Sequence, residues 1–194
     1  MRKLVVAVVA VVLVIAAAYL LWPRPKRALK PLEELLESVR RGEGIELKVA
    51  GKTAGRIEKK YTCDGGDVSP PVSWGDLPKG TISLALICYD IDAPRGIFVH
   101  WVIFNIPPTL GSLPGGVPKR GVVEGLGIQG RNDFGSLGYG GPCPPHGEHR
   151  YVFLLLALDV KLDLKEGVDA ARVLSEAEGH VLGYGEVVLT YRRV

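Results

Sequence analysis

Alternation of apolar and polar side chains predicts the first strand of the sequence, at residues 45–49. Further runs of strand length, rich in β-branched, leucine and aromatic residues, occupy residues 81–89, 98–106, 151–160 and 186–191. Glycine-rich and proline-rich loops over residues 62–80 and 107–147 are too long to be simple connectors. The pattern predicts a mainly β domain, an antiparallel β-sandwich with long functional loops.

Helical periodicity is limited to two short segments of the domain-forming part of the chain. A segment that begins at Pro31 and ends at Gly42 repeats leucine and valine at helical spacing, and it is interpreted as a helical spacer over residues 31–43. Residues 168–178 carry a modest apolar side and predict a second helix. The sequence therefore predicts one or two short helices beside a domain of residues 44–194.

A run without any charged residue covers residues 4–22 and is dominated by valine, alanine and leucine. Its length nearly matches the hydrocarbon core of a bilayer, which predicts a single transmembrane helix within residues 1–30. Cleavage as a signal peptide near residues 16–18, which would give a secreted domain, is the alternative. The basic residues on both sides leave the orientation open, and the extracytoplasmic placement of the domain is preferred.

Basic residues outnumber acidic ones by 24 to 21 over the 194 residues, but their distribution is uneven. Residues 1–30 contain six basic and no acidic residues, so the rest of the chain has 18 basic against 21 acidic residues. Basic residues do not cluster with aromatic ones in the domain, which argues against nucleic-acid binding. One Met, one Gln and two Asn are typical of proteins from hot environments.

The three cysteines, Cys63, Cys88 and Cys143, are far apart and form no C-x-x-C motif. An odd number cannot form a complete disulfide framework. One pair can form outside the cytoplasm, and the sequence leaves the pairing open.

Carboxylate and imidazole side chains gather at the ends of the predicted strands. Asp90 and Asp92 are two residues apart and are expected on the same side of an extended chain. His100 lies within a predicted strand and is expected to face away from both of its neighbours in the chain. His149 and Tyr151 share one side of the strand that follows a proline-stiffened loop. The spacing of the histidines does not match a metal site.

Four ordered motifs resemble the phosphatidylethanolamine-binding protein family, in particular its bacterial and archaeal Raf kinase inhibitor-like branch. They are Y-T-C-D-G-G-D-V-S-P-P at residues 61–71 followed by Trp74, D-I-D-A-P at residues 90–94, His100-Trp101, and the G-x-P-P…H-R-Y signature at residues 141–151. Ile91 stands where family members usually carry proline, which affects the mouth of any pocket. The resemblance covers roughly residues 45–193.

The resemblance implies a β-sandwich with a small anion pocket at one end. The implied lining is Asp90, His100, Pro144, His149 and Tyr151, with backbone donors from residues 141–145. The implied shaping residues are Asp92, Pro94, Gly141 and Cys143.

The expected function is that of a non-catalytic binding protein without metal or cofactor. It would recognise phosphoryl or phosphoethanolamine groups and act as an inhibitor or regulator of a kinase or a protease. A hydrolase of phosphoesters or peptides, with His100 or His149 as general base oriented by Asp90, is the alternative.

Overall fold

The computed structural model of the protein describes residues 29–193. Two α-helices, two short 3₁₀ turns and eleven strands form within this range. The helices are α1 (Leu32–Ser38) and α2 (Ala170–Ala177), and the 3₁₀ turns are Lys59–Tyr61 and Pro108–Leu110. The strands are β1 (Glu43–Gly44), β2 (Leu47–Val49), β3 (Ala54–Arg56), β4 (Val72–Trp74), β5 (Ser83–Asp90), β6 (Phe98–Ile106), β7 (Ser112–Leu113), β8 (Val122–Val123), β9 (Gly127–Gln129), β10 (Glu148–Leu158) and β11 (Val181–Arg192).

A large sheet carries most of the fold, with the strand order β1-β11-β10-β5-β6-β9-β8 and β3 also paired to β11. Its long central strands β11, β10, β5 and β6 are antiparallel, whereas β1 and β3 both run parallel to β11. The smaller sheet has the order β2-β4-β7 and is antiparallel. The predicted mainly β fold with few helices is confirmed, but its large sheet is mixed rather than purely antiparallel.

Apolar side chains cover both faces of the large sheet. One face packs against the small sheet, where Leu47, Val72 and Leu113 join the same buried cluster as Leu86 and Phe153. The other face packs against the two helices in a second cluster. Because β5 is buried on both faces, all of its eight residues are enclosed and the strand reads as a continuous apolar run.

Helix α1 packs directly onto the domain. The side chains of its residues Leu35 and Leu36 are buried against the sheet. They belong to the same apolar cluster as the buried residues of α2, which covers the same side of the sheet. Arg40 follows the helix and donates a hydrogen bond of 2.5 Å to the Tyr89 hydroxyl and pairs with Glu186 at 2.9 Å. The segment predicted as a spacer is thus anchored to the sheet by its apolar side and by a guanidinium.

The predicted anchor over residues 4–22 lies outside the described residues. Within residues 29–193, neither helix is long and apolar enough to cross a membrane. Membrane attachment therefore stays a prediction from the sequence.

Strand β11 begins five residues earlier than the predicted strand at residues 186–191. Gly183 and Gly185 lie near the start of β11, where another segment of backbone passes close to the strand. A side-chain Cβ at either position would lie 2.5 Å from a carbonyl oxygen, that of Glu43 or of Ile45. Glycine, which usually weakens a strand, is required here for the parallel pairing with β1.

Candidate functional site

The ends of three central strands and one loop enclose a cavity of about 180 Å³ at one end of the large sheet. Asp90 closes β5, His149 opens β10, and His100 lies near the start of β6. The cavity is lined by Asp90, Ala93, Pro94, Phe98, His100, Phe134, Cys143, Pro144, Pro145 and His149. The fold thus brings together residues that are up to 59 positions apart in the chain.

The carboxylate of Asp90 holds His149 in one orientation. Its Oδ2 accepts a hydrogen bond from His149 Nδ1 at 2.7 Å, and its Oδ1 accepts one from the backbone N–H of Asp92 at 2.8 Å. Both side chains are about 95% buried. Because Nδ1 carries the shared proton, Nε2 is the ring nitrogen of His149 that is available to a ligand.

His100 is fixed in the same way by the backbone. Its Nδ1 donates to the carbonyl of Gly140 at 2.7 Å, and since a carbonyl only accepts, the proton is on Nδ1. Burial lowers the pKa of His100, although the Gly140 carbonyl and the nearby carboxylates of Asp90, Asp133 and Asp67 oppose that shift. His100 is therefore neutral at pH 7, and its Nε2 is then a hydrogen-bond acceptor.

An irregularity in β6 decides where His100 points. Cys88 pairs with Trp101 whereas Tyr89 pairs with Val99, so one extra residue, His100, is inserted in β6. Regular alternation would place Val99 and Trp101 on one face, but they join the two different apolar clusters. The sequence-based expectation that His100 faces away from both neighbours is therefore wrong, because the bulge changes the alternation.

Asp90 and Asp92 are not on the same side, contrary to the expectation from their spacing. Asp92 lies in the bend after β5 and accepts three hydrogen bonds from Arg150, one from the backbone N–H at 2.8 Å and two from the guanidinium at 2.9 and 2.6 Å. The hydrogen bonds from Arg150 lower the pKa of Asp92. Asp90 thus accepts a hydrogen bond from the buried His149, whereas Asp92 accepts hydrogen bonds from Arg150 on the exposed rim.

Tyr151 lies behind the cavity rather than in its lining. Its ring meets that of His100 edge to face at a centroid distance of 5.2 Å, and the residue has no exposed surface. The hydroxyl is buried and has no hydrogen-bond partner among residues 29–193. Burial and the charge of Asp90 raise its pKa, so the hydroxyl keeps its proton as a potential donor.

The loop of residues 141–145 supplies fewer backbone donors than expected. Pro142, Pro144 and Pro145 have no N–H, and the N–H of Gly141 donates to Asp67 Oδ1 at 2.6 Å. Cys143 therefore contributes the one backbone N–H of this loop that is not already engaged. Apart from that N–H, polar contacts between this cavity and a ligand would come from side chains.

A clasp, defined here as the contacts of residues 61–67 with residues 139–143, holds this loop in place. Cys63 forms a disulfide with Cys143, and its backbone N–H donates to the Pro142 carbonyl at 3.2 Å. The Tyr139 hydroxyl donates to the Tyr61 carbonyl at 2.7 Å. The pairing that the sequence left open is thus Cys63 with Cys143, and Cys88 is free and buried.

The remaining histidines lie outside the cavity. His146 is exposed at its rim, 6.2 Å between ring centroids from His149, and His180 pairs with Asp159 at 2.8 Å on an exposed surface. In residues 29–193, no group of three or more His, Cys, Asp and Glu side chains is arranged to hold a metal ion.

Sequence reasoning missed the aromatic part of the site. Phe98 and Phe134 line the cavity, and their rings meet at a centroid distance of 4.8 Å. Phe134 follows a glycine-rich loop and is more than half exposed, at 51%. Nothing in its local sequence signals a site, because only the turn geometry brings it over His100.

The family model described as phosphatidylethanolamine-binding protein matches residues 48–192. A UPF0098 protein of Methanothermobacter thermautotrophicus is 53% identical over 139 residues, which cover 72% of this chain and 92% of that protein. A UPF0098 protein of Pyrococcus horikoshii is 46% identical over 157 residues, covering 78% and 79% of the two chains.

Two solved structures share the fold. A putative phosphatidylethanolamine-binding protein homolog from Chlamydia trachomatis superposes with a TM-score of 0.71 at 36% identity, covering 78% of this chain and 99% of that chain. E. coli YbcL, described as a member of the mammalian PEBP family, gives a TM-score of 0.70 at 30% identity, with coverage of 77% and 99%.

Proposed function

The chain belongs to the phosphatidylethanolamine-binding protein family, and we propose that it is a non-catalytic binding protein for small phosphoryl-type anions, including phosphoethanolamine. The observation that carries this proposal is the cavity in which His149, oriented by Asp90, and His100 present their Nε2 atoms. Imidazolium N–H groups are good partners for phosphate oxygens. Regulation of a kinase or a protease by this site is the accompanying proposal for a protein partner.

Charge balance makes anion binding depend on protons. The described lining of the cavity contains the carboxylate of Asp90 but no lysine or arginine. In their neutral forms both histidines offer only an acceptor at Nε2, so an anion that contacts these two nitrogens needs at least one added proton, on a histidine or on the ligand itself. We therefore expect anion binding to be coupled to proton uptake and to strengthen as the pH falls.

Calorimetric titration with inorganic phosphate and with phosphoethanolamine tests the proposal. Binding by the parent protein and a loss of at least tenfold in affinity for His149→Ala are expected. His180→Ala is the matched control, because His180 also pairs with an aspartate but lies away from the cavity. The measured heat should differ between buffers of different ionisation enthalpy, since a proton is taken up.

Absence of binding by the parent to either compound at pH 5.5 would overturn the proposal. An affinity that stays constant from pH 5.5 to pH 8 would overturn the proton coupling.

A hydrolase is the second candidate, favoured by the buried Asp90–His149 pair, which is the arrangement of an oriented general base. The residues that line the cavity include no serine, threonine or free thiol, so a water molecule would have to be the nucleophile. Turnover of 4-nitrophenyl phosphate that is abolished in His100→Ala and in His149→Ala would support this candidate. Binding without turnover supports the non-catalytic proposal.

Membrane attachment is a separate proposal that rests on the uncharged residues 4–22. The full chain is expected to stay with the membrane fraction after carbonate extraction, with an intact N-terminus by mass spectrometry. A mature chain that begins near residue 18 would instead show cleavage of a signal peptide.

A further inference from the structure

A second and larger cavity, of about 290 Å³, adjoins the first cavity, which contains Asp90, His100 and His149. The two cavities share Phe134 and Cys143 in their walls. Gly140, whose carbonyl orients His100, also lines the second cavity. A group attached to an anion in the first cavity therefore has a ready-made space beside it, across the Phe134 ring.

The turn that places the Phe134 ring between the two cavities is held by several hydrogen bonds. Asn132 is buried, and its Oδ1 accepts hydrogen bonds from the backbone N–H groups of Phe134 and Ser136, both at 3.1 Å. Its Nδ2 donates to the carbonyl of Gly138 at 2.9 Å. These bonds fix the turn that presents Phe134, whose ring meets His100 edge to face at 5.3 Å. The Phe134 ring is therefore held between the cavities while half of it remains open to contact.

The second cavity offers two hydrogen-bond donors, the ammonium of Lys119 and the hydroxyl of Ser136. Lys119 Nζ lies 2.6 Å from Asp67 Oδ2, and Asp67 Oδ1 is occupied by the N–H of Gly141. The ammonium has three N–H donors and uses one of them in this pair. The hydroxyl of Ser136 makes no hydrogen bond to any residue from 29 to 193, and the residue is exposed.

The ion pair also limits which ligand groups fit. Lys119 and Asp67 neutralise each other, so a second anionic group would gain the attraction of the ammonium but would also meet the neighbouring carboxylate. A neutral acceptor such as a hydroxyl or ether oxygen gains the N–H donors of Lys119 and the hydroxyl of Ser136 without that repulsion. The carbon atoms of the ligand group that carries this oxygen can pack against the exposed Phe134 ring.

We propose that this second cavity is a subsite for a short, neutral, hydroxylated group esterified to the phosphoryl group that the first cavity holds. The ligand class is thus a phosphate ester of a small polyol. The inference rests on the proposed function, because the phosphoryl group must occupy the first cavity.

The test compares the affinities of glycerol 3-phosphate, propyl phosphate and inorganic phosphate for the full chain and its variants. Glycerol 3-phosphate should bind about fivefold more tightly than propyl phosphate, which has the same carbon chain without hydroxyls; one net hydrogen bond corresponds to such a factor. The ratio of the two affinities should fall to about one in Lys119→Met and in Ser136→Ala. Lys161→Met changes an exposed lysine outside both cavities and should keep the parent ratio.

Each outcome is distinguishable from failure of the proposed function. If inorganic phosphate does not bind, the first cavity fails as an anion site. If it binds but the parent shows no preference for glycerol 3-phosphate over propyl phosphate, the second subsite is overturned. Tighter binding of 3-phosphoglycerate than of glycerol 3-phosphate would overturn the choice of a neutral group.

Glycerophosphoethanolamine, a phosphate diester, separates two sources of the same chemistry. If it binds more tightly than glycerol 3-phosphate, the subsite is assigned to a lipid headgroup. If it binds less tightly, the subsite is assigned to a free phosphate monoester.

Discussion

Asp90 Oδ2 and His149 Nδ1 lie 2.7 Å apart at the buried ends of adjacent strands β5 and β10. The contact sets the tautomer of His149 and directs its other nitrogen to the cavity. The tautomer and orientation of His100 are set in the same way, but by a backbone carbonyl instead of a carboxylate. The two histidines of the site are thus fixed by partners of different charge, which allows their contributions to be tested separately.

Replacing Asp90 by Asn keeps the shape of the side chain but removes its charge from the contact with His149. We expect phosphate affinity at pH 6 to fall about tenfold, because the charge-assisted hydrogen bond that orients the His149 ring is lost. Titration calorimetry measures this change. Asp92→Asn is the control, since Asp92 bonds to Arg150 on the rim and not to a histidine. Equal losses in both variants would contradict the role assigned to Asp90.

His100 should make the fold sensitive to acid. Because its folded-state pKa is lowered, the unfolded chain binds the proton more readily, and stability is lost as the pH falls below about 6.5 towards the folded-state pKa. His100→Gln removes this titration and should lose less stability than the parent between pH 7.5 and pH 5. Thermal denaturation at the two pH values without phosphate provides the measurement. An equal or larger loss in His100→Gln would contradict the expectation.

The disulfide between Cys63 and Cys143 closes a long loop, with a sequence separation of 80. Chain-entropy arguments give about 4.5 kcal/mol of stabilisation for a loop of this length. The double substitution Cys63→Ser and Cys143→Ser should therefore lower the free energy of unfolding by about that amount in a denaturant titration. Dithiothreitol should lower the Tm of the parent but leave that of the double variant unchanged. A parent Tm that does not respond to full reduction would contradict the prediction.

Gly141 has no room for a side chain. A Cβ there would lie 2.8 Å from Asp67 Oδ1, from Thr62 Cα and from the Tyr61 carbonyl oxygen, so Gly141→Ala must push the clasp apart. We expect a loss of about 1–3 kcal/mol in the free energy of unfolding and weaker phosphate binding. Gly44→Ala is the matched control, because a Cβ at Gly44 has no neighbour within 4 Å. If both variants unfold at the same denaturant concentration, the clasp does not constrain the loop.

Strands with a clear hydrophobic pattern could be located from the sequence. The predicted strand at residues 98–106 coincides with β6, and the apolar run at residues 151–160 lies largely within β10. The sequence could not locate the start of β11, because there the requirement for glycine comes from the neighbouring backbone of β1. Nor could it place α1 on the sheet, since the apolar side of a helix does not identify the surface that it will cover.

The residues of the site also divide into those that the sequence predicts and those that only the structure identifies. The motifs that contain Asp90, His100, Pro144 and His149 were recognisable in the sequence, and these residues line one cavity. Phe134 and the second cavity with Lys119 were not recognisable, because they come from loops whose conformation depends on Asn132 and on the clasp.

The sequence by itself determined that the chain forms a mainly β domain and that acids and histidines cluster at its strand ends, since periodicity and ordered motifs are local properties. Only the tertiary structure decided that Asp90 is hydrogen-bonded to His149 whereas Asp92 is hydrogen-bonded to Arg150. It also decided that a bulge turns His100 and that Tyr151 lies behind the cavity. These relationships depend on strand register and on contacts between residues distant in the chain, which no local pattern encodes.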